Sequence, residues 1–172
     1  MSALDWSAPF ERLEDAQRFR SRGRTITEAD LVGFSALSGD MHPQHTDAEW
    51  AAASRFGARI AHGMLLVSYA VGLVPFDPAR VVALRRLREV VFKRPARIGC
   101  TIHVEGRIVT LDRLDEDAGL VGMRWNIRDG DGLLLCRADV DVLWSAGPAA
   151  TPANRASQRV DALEMPPGVI PC

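Results

Sequence analysis

An uncharged stretch of 17 residues, Ile60–Phe76, limits the fold of this chain more than any other segment. Its residues 60–74 are apolar on almost every side of a helix, so that helix has no face suited to water. Such a helix has to be covered from all directions by other elements. His62, Ser68 and Pro75 make the stretch a poor membrane span. The sequence therefore predicts a helix buried inside a globular fold, and no membrane partner.

Two shorter helices are predicted before the buried one. Thr27 is suited to cap the first, because its hydroxyl can accept a hydrogen bond from an unpaired N–H, and Gly39 is suited to end it. Apolar residues recur between them at three-residue spacing, which gives the helix one apolar stripe. Pro43 interrupts the next segment and predicts a loop over 40–45. A second helix is predicted over 48–56.

The second half of the chain has the alternating pattern of β-strands. Four segments are predicted as strands: 80–93 is long and rich in β-branched residues, while apolar and polar residues alternate in 101–111, 119–128 and a last strand ending at Trp144. No helix separates these strands, so a parallel α/β architecture is disfavoured. An antiparallel sheet with one apolar face can curl around the buried helix. The predicted fold class is α+β, with an antiparallel sheet wrapped around a central buried helix.

Length and composition indicate one domain with two terminal extensions. A chain of 172 residues can bury a core without disulfides or metals. Residues 1–22 are weakly patterned and are expected to form an N-terminal arm, and residues 23–146 the domain. Residues 147–172 are dominated by Pro, Ala and Ser, and we expect a flexible tail there.

Charge and cysteine content exclude several functional classes. Lysine and arginine number 21 against 22 acidic residues, and this net charge of -1 disfavours nucleic acid as a partner. The three cysteines are widely spaced without a CxxC pair, so neither a zinc ribbon nor a disulfide framework is indicated. The first twenty residues carry acids and lack an apolar run, which argues against a signal peptide and favours a cytoplasmic location.

The residues suited to chemistry lie on either side of the second predicted helix. Asp40 and His45 are five residues apart on a segment interrupted by Pro43, so both side chains can turn toward one point. A carboxylate and an imidazole aimed at one substrate form a general acid–base pair. Gly63 lies at the start of the buried helix, where N–H groups lack partners and the helix dipole is positive. Its amide can stabilise a developing oxyanion.

These segments resemble a known enzyme family. They are similar to motifs of the MaoC-like (R)-specific enoyl-CoA hydratases and dehydratases of the hot-dog fold. The similar segments are Ser38-Gly39-Asp40-Met41-His42-Pro43-Gln44-His45-Thr46-Asp47 and, after it, His62-Gly63-Met64. The resemblance implies that Asp40 and His45 are the catalytic pair and that the Gly63 amide holds the thioester oxygen. It also implies a homodimer with strands continuing across the interface, and an acyl thioester of CoA or acyl-carrier protein as substrate.

One position departs from the family pattern: His42 stands where the family has asparagine. This difference could alter substrate choice or rate, or mark a relative that is not a hydratase. His62 and Met64 flank Gly63 and are further candidates for substrate binding, although His62 could also be a packed histidine bonded to a carbonyl. The resemblance also implies a tunnel for the acyl chain, and Val67 and Ser68 are candidates to line it. Arg94 is a further candidate, because its cation could hold the phosphates of CoA or of the carrier protein's arm.

The predicted activity is hydration of an enoyl thioester or dehydration of a 3-hydroxyacyl thioester, without metal or redox cofactor. Two alternatives stay open, a hot-dog thioesterase and a non-catalytic acyl-binding module. A metal site would have to use donors among Asp40, His42, His45, Asp47 and His62. It is disfavoured because a proline lies between His42 and His45, so the two histidines lack the helical spacing of a metal-binding pair.

Overall fold

The structure, a computed structural model, describes residues 2–147. Over this range the helices are α1 (Glu28–Ser38), α2 (Pro43–Thr46), α3 (Ala48–Ala53) and α4 (Gly63–Leu73). The strands are β1 (Arg18–Arg20), β2 (Arg24–Thr25), β3 (Val81–Phe92), β4 (Thr101–Arg113), β5 (Ala118–Arg128) and β6 (Leu134–Ser145). Apart from Gly147, the predicted tail lies outside the described residues. In residues 2–147 no helix has the length and apolar character needed to cross a bilayer.

All strands join one antiparallel sheet, which confirms the predicted class. The strand order is β1-β4-β5-β6-β3, with β2 also pairing with β4. Along β5, Val121, Met123, Trp125 and Ile127 are buried in the core, as the alternation of the sequence predicts. The segment predicted as an N-terminal arm contributes the short strand β1, which includes Phe19. One face of the sheet is therefore apolar and faces the helices.

Helix α4 packs on this apolar face as the sequence predicts, but it is shorter than predicted. Residues 60–62 are extended, because Ile60 forms a β-bridge with Arg97 and the Ala61 N–H donates to the Ala96 carbonyl (2.8 Å). The buried residues of α4 lie in one core cluster with those of the sheet; in α4 they are Leu65, Leu66, Val67, Ala70 and Leu73.

One side of α4 stays open, contrary to the expectation of complete cover. Met64, Ser68 and Gly72 are exposed, and Met64 keeps 53% of its surface. Their spacing of four residues places them on one face of the helix. The Ser68 hydroxyl donates to the Met64 carbonyl (2.9 Å), which satisfies its polar group locally. We call this face the open stripe of α4.

Helix α1 begins and ends where the sequence predicts and is held against α4. Thr27 and Asp30 form a reciprocal capping box, and Gly39 ends the helix at a φ of 75°. Asp30 also accepts hydrogen bonds from Tyr69 of α4 and from Arg24 (3.0 Å). Burial alone would raise the pKa of the Asp30 carboxyl, but hydrogen bonds from Tyr69, Thr27 and Arg24 lower it to about 2. This cluster fixes the helix that precedes Asp40.

The N-terminal segment packs against the core. Leu4, Phe10 and Leu13 are buried, and Trp6 stacks on Trp144 of β6 with ring centroids 5.6 Å apart. Hydrophobic burial of this kind joins the segment predicted as an arm to the packed body of the domain.

Candidate active site

The segment 40–45, expected to be a loop, is a loop only over residues 40–42, because the helical turn α2 begins at Pro43 and carries His45. Pro43 is the first residue of α2, a position where a helix loses nothing from the missing N–H of proline. His42 caps this turn through Nδ1, which accepts from the Gln44 N–H (3.2 Å). The helix expected over 48–56 is the shorter α3, capped by Asp47. The turn directs the His45 side chain into the protein, where it is 4% exposed.

Asp40 and His45 lie side by side without a direct hydrogen bond. The distance from Asp40 Oδ2 to His45 Nε2 is 3.9 Å, too long for such a bond but short enough for one water or hydroxyl to contact both. The Asp40 carboxylate is 51% exposed, and its Oδ1 accepts from the His42 N–H (3.2 Å). The Asp40 N–H donates to Ser38 Oγ (3.2 Å). One atom of each partner thus faces a shared, accessible space.

The surroundings of His45 fix which of its nitrogens is free to act as a base. His45 Nδ1 lies 2.7 Å from the Ile60 carbonyl and must carry a hydrogen, because a carbonyl only accepts. In the neutral ring Nε2 then accepts, here from the Gln44 side-chain amide (3.0 Å). Burial lowers the pKa of His45, and the nearby His62 lowers it further, while the Ile60 bond and Asp40 oppose the shift. The lowered pKa favours the neutral ring, in which Nε2 accepts from the Gln44 amide and lies 3.9 Å from Asp40 Oδ2.

His62 links helix α1 and the backbone of Asp40 to the start of helix α4. Its ring stacks on that of His45, with centroids 3.8 Å apart, and is 2% exposed. His62 Nε2 donates to the Asp40 carbonyl (3.1 Å) and lies 3.2 Å from Ser35 Oγ. Among the described residues its Nδ1 has no partner. The carbonyl bond anticipated for a packed histidine is present, and it holds the backbone of Asp40.

Gly63 opens α4 next to these side chains. The side chain of the preceding residue, His62, does not cap the helix. The first N–H groups of α4, at the positive end of the helix dipole, therefore have no side-chain acceptor from that residue. A Cβ at position 63 would lie 2.7 Å from the ring of Phe92, so only glycine fits without displacing that ring. The arrangement offers hydrogen-bond donors to an oxygen that reaches the helix terminus.

The other predicted substrate-binding residues occupy different surroundings. Met64 and Ser68 belong to the open stripe of α4, whereas Val67 faces the core and is 4% exposed. His42 is exposed, and its ring lies 5.5 Å from that of Trp50. Arg94 follows β3 on the surface and donates to the Leu134 carbonyl (3.2 Å). The structure brings the rings of His42 and His62 next to that of His45 and places Met64 directly after Gly63, but gives Arg94 no contact with the pair among the described residues.

Several groups at the site were missed by the sequence analysis. The side-chain amide of Gln44 contacts His45 Nε2. The position of Gln44 directly before His45 in the motif was the one sequence signal for this contact. Ser35 and the Ile60 carbonyl act through contacts across 27 and 15 residues of sequence. Phe92 approaches Gly63 from another element. Contacts of this kind depend on the packing of the whole domain and leave no local pattern.

Three side chains at the site have the composition of a metal-binding group. Among the described residues, one ligand atom from each of Asp40, His45 and His62 lies within 4.8 Å of the others. A cation there would occupy the space between Asp40 and His45 and would compete with the Gln44 amide for Nε2. Acid–base chemistry uses the same atoms without an ion, so the geometry gives no separate reason to add one.

Comparison with known proteins identifies the family. The family model described as "MaoC like domain" matches residues 10–122. The (R)-specific enoyl-CoA hydratase of Rhodospirillum rubrum is 35% identical over 96 residues, which are 54% of this chain and 64% of that protein. The chain covers only 29%, 64% and 56% of the lengths of three curated relatives.

Solved structures agree with the fold. The monoamine oxidase regulatory protein from Archaeoglobus fulgius shares 32% identity and a TM-score of 0.77, over 86% of this chain and 100% of that one. A Mycobacterium tuberculosis protein described as having a double hotdog fold shares 22% identity and a TM-score of 0.74, over 86% of this chain and 47% of that one. Since the family match covers well over half of the chain, this protein belongs to the MaoC-like domain family and has the hot-dog fold.

Proposed function

We propose that this protein adds water to an enoyl thioester in an (R)-specific manner, or removes water from the corresponding 3-hydroxyacyl thioester. The observation that carries the proposal is the pair formed by the buried His45, whose Nε2 lies 3.9 Å from Asp40 Oδ2, and the accessible Asp40 carboxylate. The relative from Rhodospirillum rubrum, named as an (R)-specific enoyl-CoA hydratase, supports this class of reaction. The reaction needs one proton carrier and one oxyanion site, and both are available here.

In the hydration direction, one water takes the place of the Gln44 amide at His45 Nε2 and donates its two hydrogens to that nitrogen and to Asp40 Oδ2. As the water oxygen bonds to the β-carbon, His45 accepts a proton and the thioester becomes an enolate. The resulting imidazolium then returns that proton to the α-carbon, so the water supplies both the hydroxyl and the hydrogen. Asp40 orients the water and stabilises the imidazolium across 3.9 Å. Dehydration follows the same steps in reverse.

The enolate oxygen is held at the start of α4. An α-proton beside a thioester is too weak an acid for histidine unless the developing negative charge is stabilised. The Gly63 N–H and the positive end of α4 supply this stabilisation, a contribution on the order of 10²–10³ in rate. His62 acts indirectly by holding the Asp40 backbone and packing on His45.

The acyl chain is proposed to lie along the open stripe of α4, which starts one residue after Gly63. Met64, Ser68 and Gly72 leave this face uncovered by the described residues. The thioester carrier is CoA or acyl-carrier protein, with Arg94 as a candidate for its phosphates and His42 for the rim of the site. Free thiols at Cys100 and Cys136 fit the reducing conditions of the proposed cytoplasmic location.

The direct test is a panel of crotonyl and longer or branched enoyl-CoA substrates. We expect loss of enoyl absorbance without release of free thiol, and a 3-hydroxyacyl product of (R) configuration. Thiol release at the same rate would instead identify a thioesterase. Binding without turnover of any substrate in the panel would contradict the proposed reaction and favour an acyl-binding module.

The proposed assembly is a homodimer joined through β3. This strand is 12 residues long and lies at the edge of the sheet, paired only with β6 among the described residues. An unpaired edge of this length is a template for pairing with another chain. Val82 and Phe92 on β3 expose 61% and 48% of their surfaces, which is apolar area that a second copy would cover.

Val82→Lys is expected to convert the dimer into a monomer, because the charge would be buried beside the paired edge. Sedimentation of the wild-type chain should give about twice 18.8 kDa, and the variant should give a single chain mass. The matched control is Val32→Lys on α1, where the valine is 59% exposed. A monomeric wild type, or equal dissociation by both variants, would contradict pairing through β3.

A further inference from the structure

Three arginines form a row across three neighbouring strands. Arg18 of β1 pairs in register with Arg107 of β4, and Arg107 pairs with Arg124 of β5. Directly opposite residues in antiparallel strands bring their side chains close together, and like charges in such pairs are destabilising. Neighbouring strands are about 4.8 Å apart, so the row extends over roughly 10 Å. We call these residues the arginine row.

The arginine row faces away from the core. The adjacent register row, Phe19–Gly106–Trp125, points to the apolar face, where Trp125 is 1% exposed. Because side chains alternate along each strand, the arginines lie on the opposite face of the sheet. Helix α4 belongs to the core side. The row is therefore separated by the sheet from the proposed catalytic residues.

Ion pairs neutralise only part of this surface. Arg124 pairs with Asp139 (2.8 Å), while Glu105 pairs with both Arg20 (3.1 Å) and Arg128 (3.0 Å). Within residues 2–147, Arg18 and Arg107 form no ion pair. The chain as a whole has a net charge of -1, so this concentration of positive charge is local.

The same residues line a concave surface. A cavity of about 680 Å³ is bordered by five arginines and one carboxylate. These residues are Arg18, Arg20, Arg107, Arg124, Arg128 and Glu105. This volume falls in the range of small-molecule sites. This concave, open surface has an excess of guanidinium groups, which bind phosphate oxygens in a bidentate manner.

We propose that the arginine row and its cavity bind a small anion carrying two adjacent phosphates. Such a ligand would place negative charge between arginines that otherwise repel one another across β1, β4 and β5. A diphosphate matches the short linear row better than a nucleic acid, which needs basic groups along an extended surface. The two arginines of the row that form no ion pair among the described residues, Arg18 and Arg107, are adjacent across β1 and β4 and so favour a ligand whose charges are equally close together.

Calorimetry with inorganic pyrophosphate and the full chain tests the proposal at about 0.15 M chloride, where weak surface attraction is screened. We expect saturable binding of one pyrophosphate per chain. Arg107→Gln should weaken it about tenfold or more, because its guanidinium lies in the centre of the row. Arg18→Gln gives a second variant at one end. The matched control is Arg55→Gln, an exposed arginine after α3, which should bind pyrophosphate normally.

A purely structural role for Arg107 predicts a different outcome. If the arginines repel one another, Arg107→Gln keeps or raises the melting temperature without ligand and loses the stabilisation that pyrophosphate gives the wild type. A lower melting temperature of both row variants with unchanged pyrophosphate binding would overturn the proposal. Absent binding, equal weakening by Arg55→Gln, or tighter binding of a polyglutamate peptide than of pyrophosphate would also overturn it. Each outcome is independent of the proposed hydratase reaction.

Discussion

Replacing His45 with glutamine is expected to lower kcat/KM for an enoyl thioester by roughly 10²–10⁴-fold, because the variant has no group that can carry the proton. The glutamine amide can still donate to the Ile60 carbonyl, so the turn should keep its shape. Steady-state hydration of crotonyl-CoA measures the loss. Circular dichroism and thermal unfolding of the same preparation check that the fold is intact.

Asp40→Asn should also lower kcat/KM, since a neutral amide lacks the negative charge that orients the water and stabilises the imidazolium. Combining it with His45→Gln should cost little more than His45→Gln alone, because the two residues act as a unit. Asp112→Asn provides a matched control on an exposed position of β4. Retained activity in Asp40→Asn and His45→Gln would remove both residues from the proposed mechanism.

The pH profile gives an independent check on the role of His45. Burial and the nearby His62 lower the pKa of His45 from its ordinary value of 6.5, and hydration needs the neutral ring. The acid limb of kcat/KM should therefore lie below pH 6.5. Asp40 raises this pKa, so the residual activity of Asp40→Asn should have its acid limb at still lower pH. A limb above the ordinary histidine value would contradict the assignment of His45 as base.

The parts of the fold that sequence predicted are those with local causes. Thr27 and Gly39 mark the ends of α1 because capping and left-handed backbone are properties of single residues. Alternation along β5 follows from one buried and one exposed face. The loop predicted from Pro43 is wrong for residues 43–45, which are helical. A proline interrupts the interior of a helix because it lacks an N–H, but this loss costs nothing at the first position of a helix.

Other features depend on which distant segments meet. Nothing near Leu4 or Phe10 predicts that the N-terminal segment packs on the core, since that burial depends on the position of the sheet. His45 and His62 could be identified as candidates from the sequence, but their stacking could not. The arginine row depends on strand register, and a shift of one residue would send its side chains to the other face. Local patterns thus identify chemical groups, whereas packing determines which groups act together.

Gly63→Ala is expected to lower kcat by about 10²–10³-fold, the loss associated with an oxyanion donor. The methyl group would lie 2.7 Å from the Phe92 ring, so either the ring or the first turn of α4 must shift. A shift of the turn would move the Gly63 N–H relative to His45, and in both cases the methyl group crowds the approach of the thioester oxygen. Stopped-flow hydration of crotonyl-CoA measures the change in the chemical step.

A second variant distinguishes oxyanion access from packing. Phe92→Leu removes the ring atoms that the new methyl group would contact and keeps an apolar side chain on β3, so this change should be tolerated. In Gly63→Ala combined with Phe92→Leu, the melting temperature should recover while kcat stays low, because the methyl group still crowds the approach of the thioester oxygen. If kcat recovers as well, glycine is needed only to accommodate Phe92, and the stabilisation of the enolate has to be assigned to another N–H of α4.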